Sequence, residues 1–208
     1  MQPFDEAAVA TLHRFNRRNA GLTIRGQTGG EIEVRGARAE DVEGIAFVLK
    51  RMRVACTFED NLLTVSPSKA VACGRITTGL WPSFPSDFVS LITVLATQAT
   101  GRTLVHDWMY ELRLFALEQL SGMRADLFLC DPHRIIVTGP SQLKGRKLDS
   151  RDLRSGMALI AAGLAAEGQS RLSPLETVER GYGYLVERLK SLGAQVEQTE
   201  QRMSQQPV

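Results

Sequence analysis

Apolar residues recur near i, i+3, i+4 and i+7 over residues 41–52, 111–123 and 180–192, which predicts three amphipathic helices. A short alternating run follows each one, over 53–58, 124–129 and 193–197, and reads as a half-buried strand. Another strand pattern precedes each helix, at 30–35, 103–107 and 170–175. Ahead of those strands lie further helical segments at 4–19, 87–99 and 153–166. Extra strands at 62–65 and 134–139 close the first two units, with turn chemistry from Asp60-Asn61 and Asp131-Pro132. The unit is therefore α-β-α-β, in places with an added β, and it recurs three times at a period of roughly 70 residues. Three such units predict an α/β fold with helices and sheets around one shared core, helices on one side and sheets on the other. The expected organisation is a single lobe over 1–198, with repeats near 1–80, 81–145 and 146–198, and a polar, frayed tail over 199–208.

Composition narrows the class without naming it. At 208 residues the chain is long enough to bury a sizeable core. Hydrophobic residues at 43% and charged residues at 23% place it among ordinary globular proteins. A net charge of +2 is too small to argue for a nucleic-acid partner. Arginine dominates the basic residues, which suits recognition of phosphate or carboxylate. Cys56, Cys73 and Cys130 show neither metal spacing nor an even framework and read as reduced thiols of a cytosolic protein. No apolar run is long enough to span a bilayer, so no membrane partner is expected, and Met1 opens no visible signal peptide.

The candidate chemistry lies in misplaced cations. Arg113, Arg154 and Arg180 each fall in or beside the first turn of a predicted helix. A cation there opposes the helix dipole, whereas an anion held by that cation and by free backbone N–H groups would be favoured. The first unit opens its second helix with the ordinary acidic set Glu40, Asp41 and Glu43, and its counterparts carry Arg113 and Arg180. Equivalent helix ends in a repeat fold tend to share a face, so the arginines are expected at one cleft holding an anionic ligand. One exposed Arg alone would read as a solvated face; three at helix starts favour function.

Asp87 follows Phe84-Pro85-Ser86, and two readings stand: Ser86 caps the helix while Asp87 favours its dipole, or Asp87 is a general base beside a hydroxyl. Asp152 reads as an N-cap before Leu153. Gly181 and Gly183 permit close approach of a ligand or another backbone, or simply loosen a first turn, and Tyr182 reads as packed. His13, His106 and His133 have no metal spacing, and His133 belongs to a hairpin turn. The glycine-rich stretch 26–30 lacks the Gly-Lys-Ser/Thr of a phosphate loop and reads as a turn, and Arg17-Arg18 as a solvated helix face.

From about residue 30 to about residue 197 the chain resembles the second lobe of the UDP-N-acetylglucosamine 1-carboxyvinyltransferases, an enolpyruvyl transferase family. The resemblance rests on Phe84-Pro85-Ser86-Asp87, Tyr110-Glu111-Leu112-Arg113, Ser150-Arg151-Asp152-Leu153-Arg154, the segment 161–168, Glu179-Arg180-Gly181-Tyr182 and Leu192-Gly193-Ala194, in that order and spacing. It implies a threefold repeat fold and, without a cofactor, transfer of the enolpyruvyl group of phosphoenolpyruvate to the 3-hydroxyl of UDP-N-acetylglucosamine in peptidoglycan synthesis. By the same resemblance Asp87 contacts the sugar hydroxyl, and Met109 contacts the nucleotide through its backbone. Arg154 and Arg180 hold the phosphoenolpyruvate anions, Asp152 orients these groups, and Arg113 with Glu111 forms a positioning pair. Trp81, Ser86, Leu112 and Glu179 stand where the family usually has histidine, threonine, asparagine and aspartate. The family's other lobe carries the cysteine or aspartate acid, a Lys-Asn pair and more arginines, and nothing in these 208 residues matches them. The expectation is a cytoplasmic lobe inactive alone, with a separate first lobe as a possible partner. A non-catalytic module that binds a nucleotide sugar or a partner lobe is the alternative; an RNA-end-processing relative is a weaker third reading.

Overall fold

The computed structural model describes residues 32–111, 113–191 and 194–198. The predicted helix at 4–19, the turn at 26–30 and the tail at 199–208 lie outside the described residues, as do Arg17-Arg18, His13, Leu112, Leu192 and Gly193.

Two units share one plan. The first runs β1 (Ile32–Arg35), α1 (Ala39–Arg51), β2 (Ala55–Glu59) and β3 (Leu62–Ser66), in an antiparallel sheet of order β1-β3-β2. After β4 (Gly74–Thr77), the short 3-10 turn Ser86–Phe88 and α2 (Val89–Gln98), the second unit repeats the plan. It comprises β5 (Gly101–His106), the 3-10 segment Arg113–Glu118 with the single turn α3 (Gln119–Gly122), β6 (Asp126–Asp131) and β7 (Arg134–Gly139). Its sheet has the order β4-β5-β7-β6, with β4 added parallel to β5. The third unit holds β8 (Lys147–Asp149), α4 (Leu153–Ala165), β9 (Arg171–Ser173), α5 (Glu176–Glu179) and α6 (Leu185–Ser191), with β8 and β9 parallel.

The repeat is visible in single hydrogen bonds. Val54 N donates to Leu49 O, Ala125 N to Leu120 O and Ala194 N to Leu189 O, at 2.9, 2.9 and 3.0 Å. Such a wide backbone bond closes a helix C-terminus through a residue in the left-handed region. Arg53 (φ 58) and Arg124 (φ 71) fill that place in the first two units. The β2–β3 hairpin turns through Asp60 (φ 49) and Asn61 (φ 59), the two left-handed residues that a two-residue turn matched to strand twist requires.

The sequence reading departs from the structure in places. The segment 111–123 is not one α-helix. Its fully buried residues are Leu114, Leu117, Leu120 and Met123, a spacing of three that suits the 3.0 residues per turn of a 3-10 helix. The third helix begins only at Leu185, because Gly181 and Gly183 weaken the helix before it and Tyr184 (φ 56) is left-handed. Residues 194–198 form no strand, the strand expected at 170–175 shrinks to β9, and β4 and β8 were not foreseen. Nor are helices confined to one side. All ten residues of α2 are buried, so it is a central rod packed on α4, β5 and β7. Its hydroxyls return to its own backbone, Thr93 Oγ1 to Val89 O at 2.8 Å and Thr97 Oγ1 to Val94 O at 2.7 Å.

Candidate active site

The N-terminal ends of α2 and α4 and the loop after β5 meet at one cluster of charges. Asp87 sits in the 3-10 turn that leads into α2, and Arg154 is the second residue of α4. Arg154 Nη2 donates to Asp87 Oδ2 at 2.9 Å, and Arg154 Nη1 to the Tyr182 hydroxyl at 3.1 Å. Arg113 Nη1 stands 3.7 Å from Asp87 Oδ1 and 3.9 Å from Asp107 Oδ2. The Arg113 guanidinium also lies over the Tyr110 ring, 4.3 Å from its centroid. The Arg113 and Arg154 side chains are 14% and 19% exposed, whereas that of Asp87 is 47% exposed. Two largely buried cations therefore present one half-open carboxylate. Ser155 Oγ, at 3.5 Å from Arg113 O, ties the α4 start to the Arg113 segment.

Beneath them lies Asp107, at the end of β5 and fully buried. Thr78 Oγ1 and Met109 N donate to its Oδ1 at 3.1 and 3.2 Å, and Ser86 Oγ donates to its Oδ2 at 2.7 Å. Trp108 Nε1 donates to Thr78 O at 2.7 Å, which pins the same loop to the end of β4. Sequence reasoning saw Asp107 only as a strand end. A carboxylate closing an apolar strand carries no local signal when its partners come from Thr78 and Ser86, far away in the chain.

Several expectations change. Ser86 does not cap α2; its buried hydroxyl is spent on Asp107. Asp152 does cap α4, accepting from Arg154 N and Ser155 N at 2.9 Å each. Those N–H groups are thus already taken and are not free for an anion, so only the Arg154 side chain serves the cluster. Arg180 is not at a helix start. It is the C-terminal cap residue of α5, where a cation suits the dipole, and it is exposed. The turn that carries it does come close, since a Cβ on Gly181 would meet the Leu153 side chain at 2.6 Å. The structure thus gathers Asp87, Arg113 and Arg154, sets Met109 and Asp152 beside them, and leaves Arg180 on the adjoining turn. Tyr182 is packed as read, and a Cβ on Gly183 would meet only open space. Glu111 is exposed and meets Arg113 through its carbonyl, accepting from Arg113 N at 2.8 Å. Among the described residues no group of His, Cys, Asp and Glu is placed to hold a metal ion.

Residues 26–189 match the family model described as EPSP synthase (3-phosphoshikimate 1-carboxyvinyltransferase). The chain belongs to this enolpyruvyl transferase family. Curated relatives include the UDP-N-acetylglucosamine 1-carboxyvinyltransferase of Treponema denticola, 38% identical over 178 residues, or 82% of this chain and 42% of that protein. The enzyme of the same name from Bradyrhizobium diazoefficiens is 34% identical over 185 residues, covering 85% and 43%. This chain therefore spans about two fifths of the length of those relatives. Among solved structures, the enolpyruvyl transferase NikO from Streptomyces tendae superposes with a TM-score of 0.77 at 21% identity, over 95% of this chain and 44% of that one. EPSP synthase from Acinetobacter baumannii follows at a TM-score of 0.54, 16% identity and 83% of this chain. These structural likenesses establish the fold: the α/β fold of one enolpyruvyl transferase lobe, as the resemblance implied. No helix among the described residues is long and apolar enough to cross a membrane.

Proposed function

We propose that this chain supplies one lobe of a UDP-N-acetylglucosamine 1-carboxyvinyltransferase and carries the side of the site that meets the sugar hydroxyl and the anions of phosphoenolpyruvate. The observation that carries the reading is Asp87, half-open, with both oxygens held by largely buried guanidinium groups. In the reaction the 3-hydroxyl oxygen of the sugar bonds to the central carbon of phosphoenolpyruvate and releases its proton, for which Asp87 is the acceptor. The methylene carbon takes up a proton from the acid of the second lobe, and loss of phosphate together with one proton of the methyl group so formed then restores the double bond. Arg154 faces the charge that accumulates, and prepositioned cations at developing negative charge are among the largest contributions to such catalysis. Arg180, exposed on the adjoining turn, is assigned by the resemblance to the same anions. Met109 offers the nucleotide its carbonyl, because its N–H is already bonded to Asp107. No cofactor is needed, and the reading places the protein in the cytoplasm.

By resemblance the acid that protonates phosphoenolpyruvate comes from a second lobe, so residues 1–208 alone bind without turnover. Titration calorimetry of the purified chain with UDP-N-acetylglucosamine tests the first part: heat of binding that disappears in Asp87→Ala is expected. A phosphate-release assay with both substrates tests the second and is expected to read zero. Binding that D87A leaves intact contradicts the site assignment, and release of phosphate contradicts the dependence on another lobe.

A further inference from the structure

We propose that Asp107 is a positioning residue that sets the Arg113 guanidinium against Asp87 by fixing the direction of the Ser86 hydroxyl. The proposal rests on the reading of Asp87 as the carboxylate that meets the sugar hydroxyl. It begins from donors and acceptors. Met109 N–H and the Arg113 guanidinium can only donate, and a hydroxyl has one proton and two lone pairs. Asp107 Oδ1 receives Met109 N and Thr78 Oγ1, and its Oδ2 receives the Ser86 proton at 2.7 Å. With that proton committed, the Ser86 lone pairs face Arg113, whose Nη1 donates to Ser86 Oγ at 2.7 Å. The same nitrogen donates to Ser86 O, also at 2.7 Å. Arg113 Nη1 is thus held twice by the residue immediately before Asp87, and 3.7 Å from Asp87 Oδ1.

Charge supports the same role. Arg113 and Arg154 are two largely buried cations, and Asp87 alone would leave them with one half-open anion. Asp107, fully buried and 3.9 Å from Arg113 Nη1, supplies the second anion from below, where no substrate reaches it. Its backbone is pinned as well. Asp107 N donates to His133 O at 2.8 Å, and His133 Nδ1 lies 2.7 Å from Asp107 O. A carbonyl only accepts, so that imidazole carries its proton on Nδ1. Asp107 therefore acts on the reaction through Ser86 and Arg113 and touches neither substrate.

Isosteric Asp107→Asn separates this role from space filling. Its amide nitrogen either confronts the Met109 N–H or donates to Ser86 Oγ, and in the second case the Ser86 proton turns against Arg113. Nitrogen-15 NMR of the arginine guanidinium protons in this chain is the primary readout, with titration of UDP-N-acetylglucosamine as the second. The unsubstituted chain is expected to show resolved, exchange-protected Arg113 Nη1 protons. D107N and Ser86→Ala lose them, and Ser86→Thr, which keeps a hydroxyl, recovers them. Affinity for the nucleotide sugar falls at least about tenfold in D107N and S86A and returns in S86T. Should D107N fail to fold, S86A against S86T carries the comparison. Protected Arg113 protons in folded D107N or S86A, or their equal loss in S86A and S86T, overturn the proposal. Failure of the unsubstituted chain to bind the nucleotide sugar overturns the functional reading instead, and the guanidinium signals still decide the role of Asp107.

Discussion

Asp87 and Arg154 illustrate how a charge that looks misplaced in sequence is explained by a partner elsewhere in the fold. Arg154 opposes its own helix dipole but is held by Asp87 and by the buried Tyr182 hydroxyl. Arg154→Ala therefore is expected to lower stability by about 1–3 kcal/mol, measured by urea denaturation, because two charge-assisted bonds go, the buried Tyr182 hydroxyl loses this donor and Asp87 keeps Arg113 at 3.7 Å. It should also reduce affinity for UDP-N-acetylglucosamine at least about tenfold by calorimetry. Asp152 makes a separable prediction. Its carboxylate caps α4, so Asp152→Ala should cost about 1 kcal/mol while Asp152→Asn, an equally good cap, stays within a few tenths of the parent. Equal loss in both variants would show that the charge, and not the cap, is what matters. At this scale Arg113 and Arg154 were legible because cations at helix starts are locally anomalous. Asp107 was not, because its meaning depends on hydroxyls that only the fold brings to it. Ser86 was misread for the same reason: its position fits a cap, and its actual acceptor is distant in sequence.

The helices and strands were legible wherever one period ruled a segment, as in α1, α4 and the two hairpins, or where one apolar run was long enough for a helix, as in α2. They were misread where an α stripe and a three-residue stripe overlap, as in Arg113–Glu118, and where glycines break a helix that the apolar pattern would continue, as before Leu185. One contact between elements bears directly on the site. A Cβ on Gly44 of α1 would lie 2.5 Å from Ser83 O and 2.6 Å from Pro82 O, both backbone atoms of the loop leading to Asp87. Gly44→Ala should raise intrinsic helix propensity yet destabilise the protein by about 1–3 kcal/mol, since the loop must shift to admit a methyl group. Thermal melts with nucleotide-sugar titration check it. A G44A chain that is more stable and binds normally would mean that the loop yields without consequence for Asp87.

At the scale of the molecule the second and third units meet through α2, which packs on α4, and through paired contacts such as Gln119 with Asp149, where Nε2 donates to Asp149 O at 2.9 Å and Oε1 accepts from Asp149 N at 2.7 Å. Stability should fall on mild acidification for a reason written in the second sheet. Burial, with Arg75 and Arg134 nearby, holds the His106 imidazole below its ordinary pKa. The unfolded chain therefore takes up a proton near pH 6.5 before the folded chain does. The contribution is intact above about pH 6.5 and is lost as pH falls through the lower folded value. The urea midpoint is expected to drop between pH 7.5 and 5.5, and His106→Gln to flatten that drop; an equal drop in H106Q assigns it elsewhere. At lower pH a second loss is expected, as Asp131 and Glu167, held below their ordinary values by Arg134 and by Lys144 with Gln142, become protonated. The plan that the first two units share was legible in the chain because a repeat is a matter of spacing, and the family was legible because its motifs stand in the family's order. The gathering of Asp87, Arg113 and Arg154 into one cluster is the claim on which the functional account turns. Backbone and side-chain NMR shift mapping with UDP-N-acetylglucosamine tests it most directly. The account predicts the largest shifts at Asp87, Met109, Arg113 and Arg154, and none along α1 or the β6–β7 hairpin; shifts confined to those outer elements, with the charge cluster unmoved, would contradict it.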